Sequence, residues 1–153
     1  MKPRNMKPVA LAAALAGLAT ASIAADLAPL PEPKFNKAQA ELGKYFFFDE
    51  RMSGDAALSC ATGHNPQKGW SDGMPLSKGY PASEYFRNSP TILNAGRKKR
   101  FMWDGRLDGS DMGTLVRDMI TEAHTMNMDG RLEQERVKQV PEYVEMWQTA
   151  VKK

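Results

Sequence analysis

The sequence predicts a mainly α domain whose helices are joined by long irregular loops. Two observations carry that expectation, and a third limits it. Apolar residues recur at helical spacing near positions 36–47 and again from 111 to the C-terminus. Between them, from Asp49 to Arg100, the chain is rich in Gly, Pro, Ser and Asn and keeps neither a helix period nor a strand period. No segment alternates convincingly enough to read as a strand, and at 153 residues there is room for one ordinary domain at most.

The N-terminus reads as a targeting segment. Lys2, Arg4 and Lys7 precede an unbroken small and apolar run, Val9 to Ala19, and Ser22-Ile23-Ala24 offers small residues where a signal peptidase reads. Cleavage after Ala24 and export to the periplasm are expected; a retained anchor is the alternative, although a spanning helix needs about 20 apolar residues. No membrane span is expected after cleavage. The leader holds three basic residues and no acidic one, so the full chain's 21 Lys+Arg against 18 Asp+Glu becomes 18 of each sign. The basic pI therefore gives no reason to expect a nucleic-acid partner. What remains is a local cluster, Arg97-Lys98-Lys99-Arg100, either a solvated loop or a contact for an acidic redox partner or for cofactor carboxylates.

Residues 25–35 contain three prolines and read as an extended lead-in to a folded domain over 36–153. Asn36, with Gln39 three residues on, is placed to cap a helix running to about Phe47, with Ala38, Leu42, Tyr45 and Phe46 on one face. That aromatic face is either ordinary core or a wall beside a flat apolar cofactor. A short helical piece is expected around Ala57–Gly63 with Asp55 as its cap, and Gly63 near its end suits a left-handed residue. Asp111 then caps a helix to about Glu122, with Leu115, Val116, Met119 and Ile120 on its apolar side. A further helix is expected over Arg131–Gln139. Pro141 opens the last one, Glu142–Val151, striped by Val144, Trp147 and Val151.

Chemistry concentrates in Ser59-Cys60-Ala61-Thr62-Gly63-His64-Asn65, which holds the single cysteine and one of two histidines. A Cys-x-x-Cys-His run binds haem c, the thiols adding across porphyrin vinyls and the histidine ligating iron. Here Gly63 stands in the second cysteine's place, so one thioether through Cys60 and axial ligation by His64 remain available. An exported chain with one cysteine cannot form an internal disulfide, and attachment to a cofactor would commit the thiol. By themselves a Cys and a His four apart are equally compatible with chance or a degenerate metal site.

The text around them is more specific. Leu42-Gly43-Lys44-Tyr45-Phe46-Phe47-Phe48-Asp49, Met52-Ser53-Gly54-Asp55, Leu58 to Pro66, Gly69-Trp70-Ser71-Asp72-Gly73, Arg87 to Asn94 and Phe101-Met102-Trp103-Asp104-Gly105-Arg106 follow one another in order. Over about residues 40–150 this resembles the bacterial dihaem cytochrome c peroxidase and methylamine-utilisation peroxidase family. The resemblance implies a cytochrome c-like helical haem domain, matching the N-terminal of the family's two haem domains. It implies haem c, hydrogen peroxide as substrate, a small cytochrome or other redox protein as electron donor, and a second haem domain as partner.

Carried over residue by residue, the resemblance makes His64 the proximal iron ligand, with Cys60 the thioether. Tyr80 stands where many members have a distal histidine. Asn88 matches a calcium ligand and Trp103 a tryptophan between the two haems. Arg87 and Arg106 fall within the motifs as candidate haem-binding cations. The family's glutamine and glutamate beyond that tryptophan fall on Gly113 and Ala123 without gaps, or on Thr125 for the glutamate if Met126-Asn127-Met128 sets the alignment. Glu122 and His124 are then the nearest titratable substitutes. His124 has three readings: an exposed helix-end residue, a distal acid or base, or a second axial ligand. Met74, Met102, Met126 and Met128 are candidate sulfur ligands or gap-filling core. Peroxide reduction is the leading expectation. An electron-transfer cytochrome without peroxidase turnover, and a degenerate half-domain that binds no haem, are the alternatives.

Overall fold

The computed structural model describes residues 28–151. The chain divides into two units, residues 1–32 and 33–153; of the first, only residues 28–32 are described, and they are exposed without regular structure. The expected leader lies outside the described residues. The second unit is mainly α, as expected, with five helices among its described residues: α1 (Lys37–Phe48), α2 (Cys60–Gly63), α3 (Met112–Thr121), α4 (Gly130–Lys138) and α5 (Pro141–Val151).

Helices α1 and α5 make the principal packing. Asn36 caps α1 as its sequence suggests, Oδ1 accepting from the N–H groups of Ala38 and Gln39 at 2.9 and 3.2 Å. Its Nδ2 donates to Ala150 O at 3.3 Å, so the cap also ties the start of α1 to the end of α5. Between the helices Leu42, Tyr143 and Ala150 are buried, with Ala38, Phe46, Val137, Val140 and Met146 packed around them. The Phe46 ring meets Tyr143 edge-on at 5.0 Å. Two expectations fail here. Tyr45 is half exposed, and on α5 Trp147 and Val151 face outward, because Tyr143 turns its own stripe inward to reach α1. Its hydroxyl donates to Asp49 Oδ2 at 2.6 Å, and Arg51 bridges the same carboxylate while lying over the Tyr143 ring.

Asp111 and Asp129 cap α3 and α4 through their carboxylates, and Pro141 occupies the first position of α5. On α3, Val116 is exposed while Leu115, Met119 and Ile120 are half-buried, so its apolar stripe is only partly covered. Arg136 of α4 reaches across to the turn after α1, donating through Nη1 to Arg51 O and Ser53 O and through Nη2 to Gly54 O. This guanidinium gathers three loop carbonyls, of which Ser53 O also accepts from Ala56 N–H at 3.1 Å.

No strand is expected from the sequence, yet a ribbon of two-residue strands exists, β1 (Arg100–Phe101) antiparallel to β2 (Leu107–Asp108), with Phe101 opposite Leu107. Two residues are too few to display a period. The ribbon carries Trp103 at its turn, where Met102 and Gly105 have φ of 63° and 70°. Among the described residues no helix is long and apolar enough to cross a membrane.

Candidate functional site

The turn that presents Cys60 and His64 is fixed by hydrogen bonds before it becomes a helix. Ser53, fully buried, accepts from the N–H groups of Ala57 and Leu58 at 3.1 and 3.0 Å, and Asp55 Oδ1 accepts from Ala57 N–H at 3.2 Å. Asp55 thus shapes the approach to α2, while Ser59 is the residue at its N-cap, its N–H donating to Thr62 Oγ1 at 3.1 Å. The expected cap was four residues early. One turn later His64 N–H closes on Cys60 O at 2.9 Å, which places thiol and imidazole one helical turn apart.

The imidazole is oriented by atoms from two other segments. His64 Nδ1 lies 3.3 Å from Trp70 O and 3.4 Å from Ser89 Oγ. A carbonyl can only accept, so Nδ1 carries the proton and Nε2 keeps its lone pair, the form a histidine needs to ligate iron. Trp70, at φ 62°, is held at its ring by Phe47 of α1, centroids 5.8 Å apart.

Cys60 is half-buried, and burial pushes its thiol pKa up. Its Sγ lies 3.9 Å from Sδ of the buried Met126. Gly63 ends α2 without the left-handed backbone expected of it, and a Cβ there would meet only Ser89 Oγ, at 3.5 Å. Nothing in the backbone requires glycine at that position.

The turn over 122–128 closes against this region. Gly54 N–H donates to Met126 O at 2.8 Å and Tyr80 N–H to Thr125 O at 3.1 Å. The approach is so close that a Cβ on Gly79 would stand 1.9 Å from His124 O, which only glycine avoids. Tyr80, half-buried, has Cε2 3.5 Å from the Cβ position of Gly54, and so sits beside the Met126 turn. Thr125 spends its hydroxyl on the end of α3, donating to Met119 O and Glu122 O.

Glu122 and His124 are exposed and open on different cavities. Glu122 lines one of about 400 Å³ with Arg106, Leu107, Asp118, Met119, Thr121 and Ala123. His124 lines another of about 360 Å³ with Leu76 and residues 83–86. Trp103 is 73% exposed, its ring covered on one side by the Arg87 guanidinium at 4.2 Å, and Arg87 also lies over exposed Phe86. Arg106 pairs with Asp104 at 3.2 Å. Asn88 Nδ2 donates to Met74 O at 2.8 Å, which leaves Oδ1 available to a cation. Among the described residues no group of three His, Cys, Asp or Glu could hold a metal ion unaided.

These residues fit haem by the chemistry of their donors: a thiol and an imidazole one turn apart, with Nδ1 engaged by Trp70 O and Nε2 left as the lone-pair nitrogen. The described residues bury few large apolar side chains, and Phe47, Leu58, Met119 and Ile120 remain half exposed, apolar area that a bound apolar group could cover. Sequence reasoning missed the roles of Ser89 and of the Trp70 carbonyl. Hydroxyls at Ser71, Ser89 and Thr91 were the only trace of them.

Residues 37–153 match the family model of the di-haem cytochrome c peroxidase. The chain is 70% identical over 124 residues to cytochrome-c peroxidase IdrP2 of Pseudomonas sp. (strain SCT), covering 80% of this chain and 34% of that protein. It is 40% identical over 124 residues to the methylamine utilization protein MauG of Methylorubrum extorquens, covering 79% and 35%. The crystal structure of a MauG-like protein associated with microbial copper homeostasis superposes with a TM-score of 0.71 at 24% identity, over 82% of this chain and 39% of that one. The chain thus spans little more than a third of the length of these relatives.

Proposed function

The chain belongs to the di-haem cytochrome c peroxidase family, and from that membership we propose that it is the haem-bearing N-terminal part of a periplasmic peroxidase, exported by its first 24 residues. The observation that carries the reading is the one-turn placement of Cys60 and His64 with Nε2 left free by the bond from Nδ1 to Trp70 O. When bound, haem c would supply the iron at which hydrogen peroxide is reduced to water with electrons from a small cytochrome or other redox protein.

This chain's residues do the rest. Cys60 Sγ would form a single thioether to the haem, and His64 Nε2 would hold its iron. Tyr80, beside the Met126 turn, would be the phenol available as a second ligand. His124 or Glu122 holds and delivers the proton that the leaving oxygen needs. Trp103 lies on the electron route, with Arg87 stacked on it, and Arg106 offers a second cation to the haem carboxylates. Asn88 Oδ1 contributes one ligand to a calcium ion completed by a second haem domain. In the matured protein a Soret band and peroxide-dependent oxidation of a reduced small cytochrome are expected; a matured chain without Soret absorbance contradicts the proposal.

One observation favours electron transfer without peroxidase turnover as the second reading. Glu122 and His124 open on different cavities, and Thr125 has its hydroxyl committed to α3. A low-spin, six-coordinate spectrum unaltered by peroxide or cyanide would decide for it.

A further inference from the structure

We propose that Ser89 is a positioning residue for His64, its hydroxyl taking a second share of the Nδ1 proton and so setting the ring's rotation and its donor strength; this rests on the haem reading above. The segment 89–92 is laced to 69–71 by three bonds that fix where Ser89 stands. Ser71 Oγ donates to Ser89 O at 2.7 Å, Thr91 Oγ1 to Gly69 O at 2.6 Å, and Ile92 N–H to Trp70 O at 3.2 Å. The Trp70 carbonyl therefore already serves one donor when His64 approaches it at 3.3 Å, and that contact is long. Ser89 Oγ, 3.4 Å from the same nitrogen, is the second acceptor, and a carbonyl and a hydroxyl together confine the ring where either alone would let it swing.

The same hydroxyl lies 3.5 Å from the Cβ position of Gly63. A second cysteine there would tether the turn to the haem edge; in this chain that tether is missing, and Ser89 holds the turn through His64 instead. A partner on the far nitrogen of a ligating histidine makes the ligand more basic and stabilises the oxidised iron, so the hydroxyl lowers the reduction potential.

The test compares the full chain with Ser89→Ala and Ser89→Thr by two readouts. In the haem-free chain, imidazole ¹⁵N shifts report the His64 tautomer. Loss of one acceptor in Ser89→Ala raises the Nε2–H to Nδ1–H ratio about fivefold, the size of one ordinary hydrogen bond. In the haem-bearing chain Ser89→Ala raises the midpoint potential, and Ser89→Thr, which keeps the hydroxyl, returns both readouts toward the parent values. An unchanged tautomer ratio and potential in Ser89→Ala, or an equal shift in both variants, overturns the inference. Failure of the parent chain to bind haem instead overturns the functional reading, and the tautomer ratio still judges Ser89.

Discussion

The α1–α5 pair and the loops around His64 are held by different physics. Between the helices Leu42, Tyr143 and Ala150 are buried in mutual contact, and polar groups join at the ends: Asn36 to Ala150, Tyr143 to Asp49. Around His64 the backbone is stitched by hydroxyls and carbonyls from Ser53, Ser71, Ser89, Thr91 and Trp70, and the apolar side chains nearby stay half exposed. The first region is complete in its own side chains. The second fixes the position of the His64 imidazole more fully than it buries a core.

Core truncation separates the two most sharply. Leu42→Ala removes the central buried side chain between α1 and α5 and is expected to cost about 2–5 kcal/mol, measured by thermal or denaturant unfolding. His64→Ala in the haem-free chain, at a half-buried position, should cost under about 1 kcal/mol. Equal losses would erase the distinction between the regions.

Haem loading should act in the opposite place. A ligand present at a thousand times its dissociation constant adds about 4 kcal/mol, and amide exchange should slow most over residues 53–92 and 122–128, and least in α1 and α5. Uniform protection would contradict the account.

Tyr143→Phe is the next smaller effect, about 1–2 kcal/mol for a lost bond to a carboxylate. Burial alone would raise the Asp49 carboxyl, but the hydrogen bonds from Arg51 and Tyr143 and the Arg51 charge outweigh it and hold the pKa below its usual value. Burial and the Asp49 hydrogen bond push the Tyr143 phenol up to about 12. The stability this contact gives is full above the usual carboxylate range and below a phenol's ordinary value. It declines as pH falls through the Asp49 value, and again as pH rises past that ordinary value toward about 12. Unfolding curves against pH should show both limbs, and Tyr143→Phe should remove the alkaline one.

Gly63→Cys should change stability least, by under about 0.5 kcal/mol, because the position has ordinary backbone and room for a Cβ. Its effect is chemical: in a strain with haem-maturation machinery it should add a second thioether, read from the pyridine haemochrome band.

Much of the helical pair was legible in the sequence. Asn36, Asp111 and Pro141 mark helix starts where the structure has them, and Leu42 sits on the buried face as its spacing implied. The α5 stripe was misjudged by one position, because Val144, Trp147 and Val151 satisfy the same period as Tyr143 and Ala150. Only a partner across the interface, Asp49, distinguishes them. Cys60 and His64 stand out in the sequence because covalent and metal chemistry needs those residue types at a fixed spacing, and the structure sets them one helical turn apart. Ser89 was not, since a serine two residues before Thr91 in a polar loop has no period and gains its meaning from a fold that brings it to His64.

The central claim is that Cys60 and His64 hold haem through one thioether and one imidazole. Its most direct test is the pyridine haemochrome of the matured chain after denaturation and acid–acetone extraction. The account expects haem to remain with the polypeptide and show an α-band between those of protohaem and of two-thioether haem c, and Cys60→Ala to release it. No haem with the native chain, or haem fully extracted from the unaltered one, would contradict it.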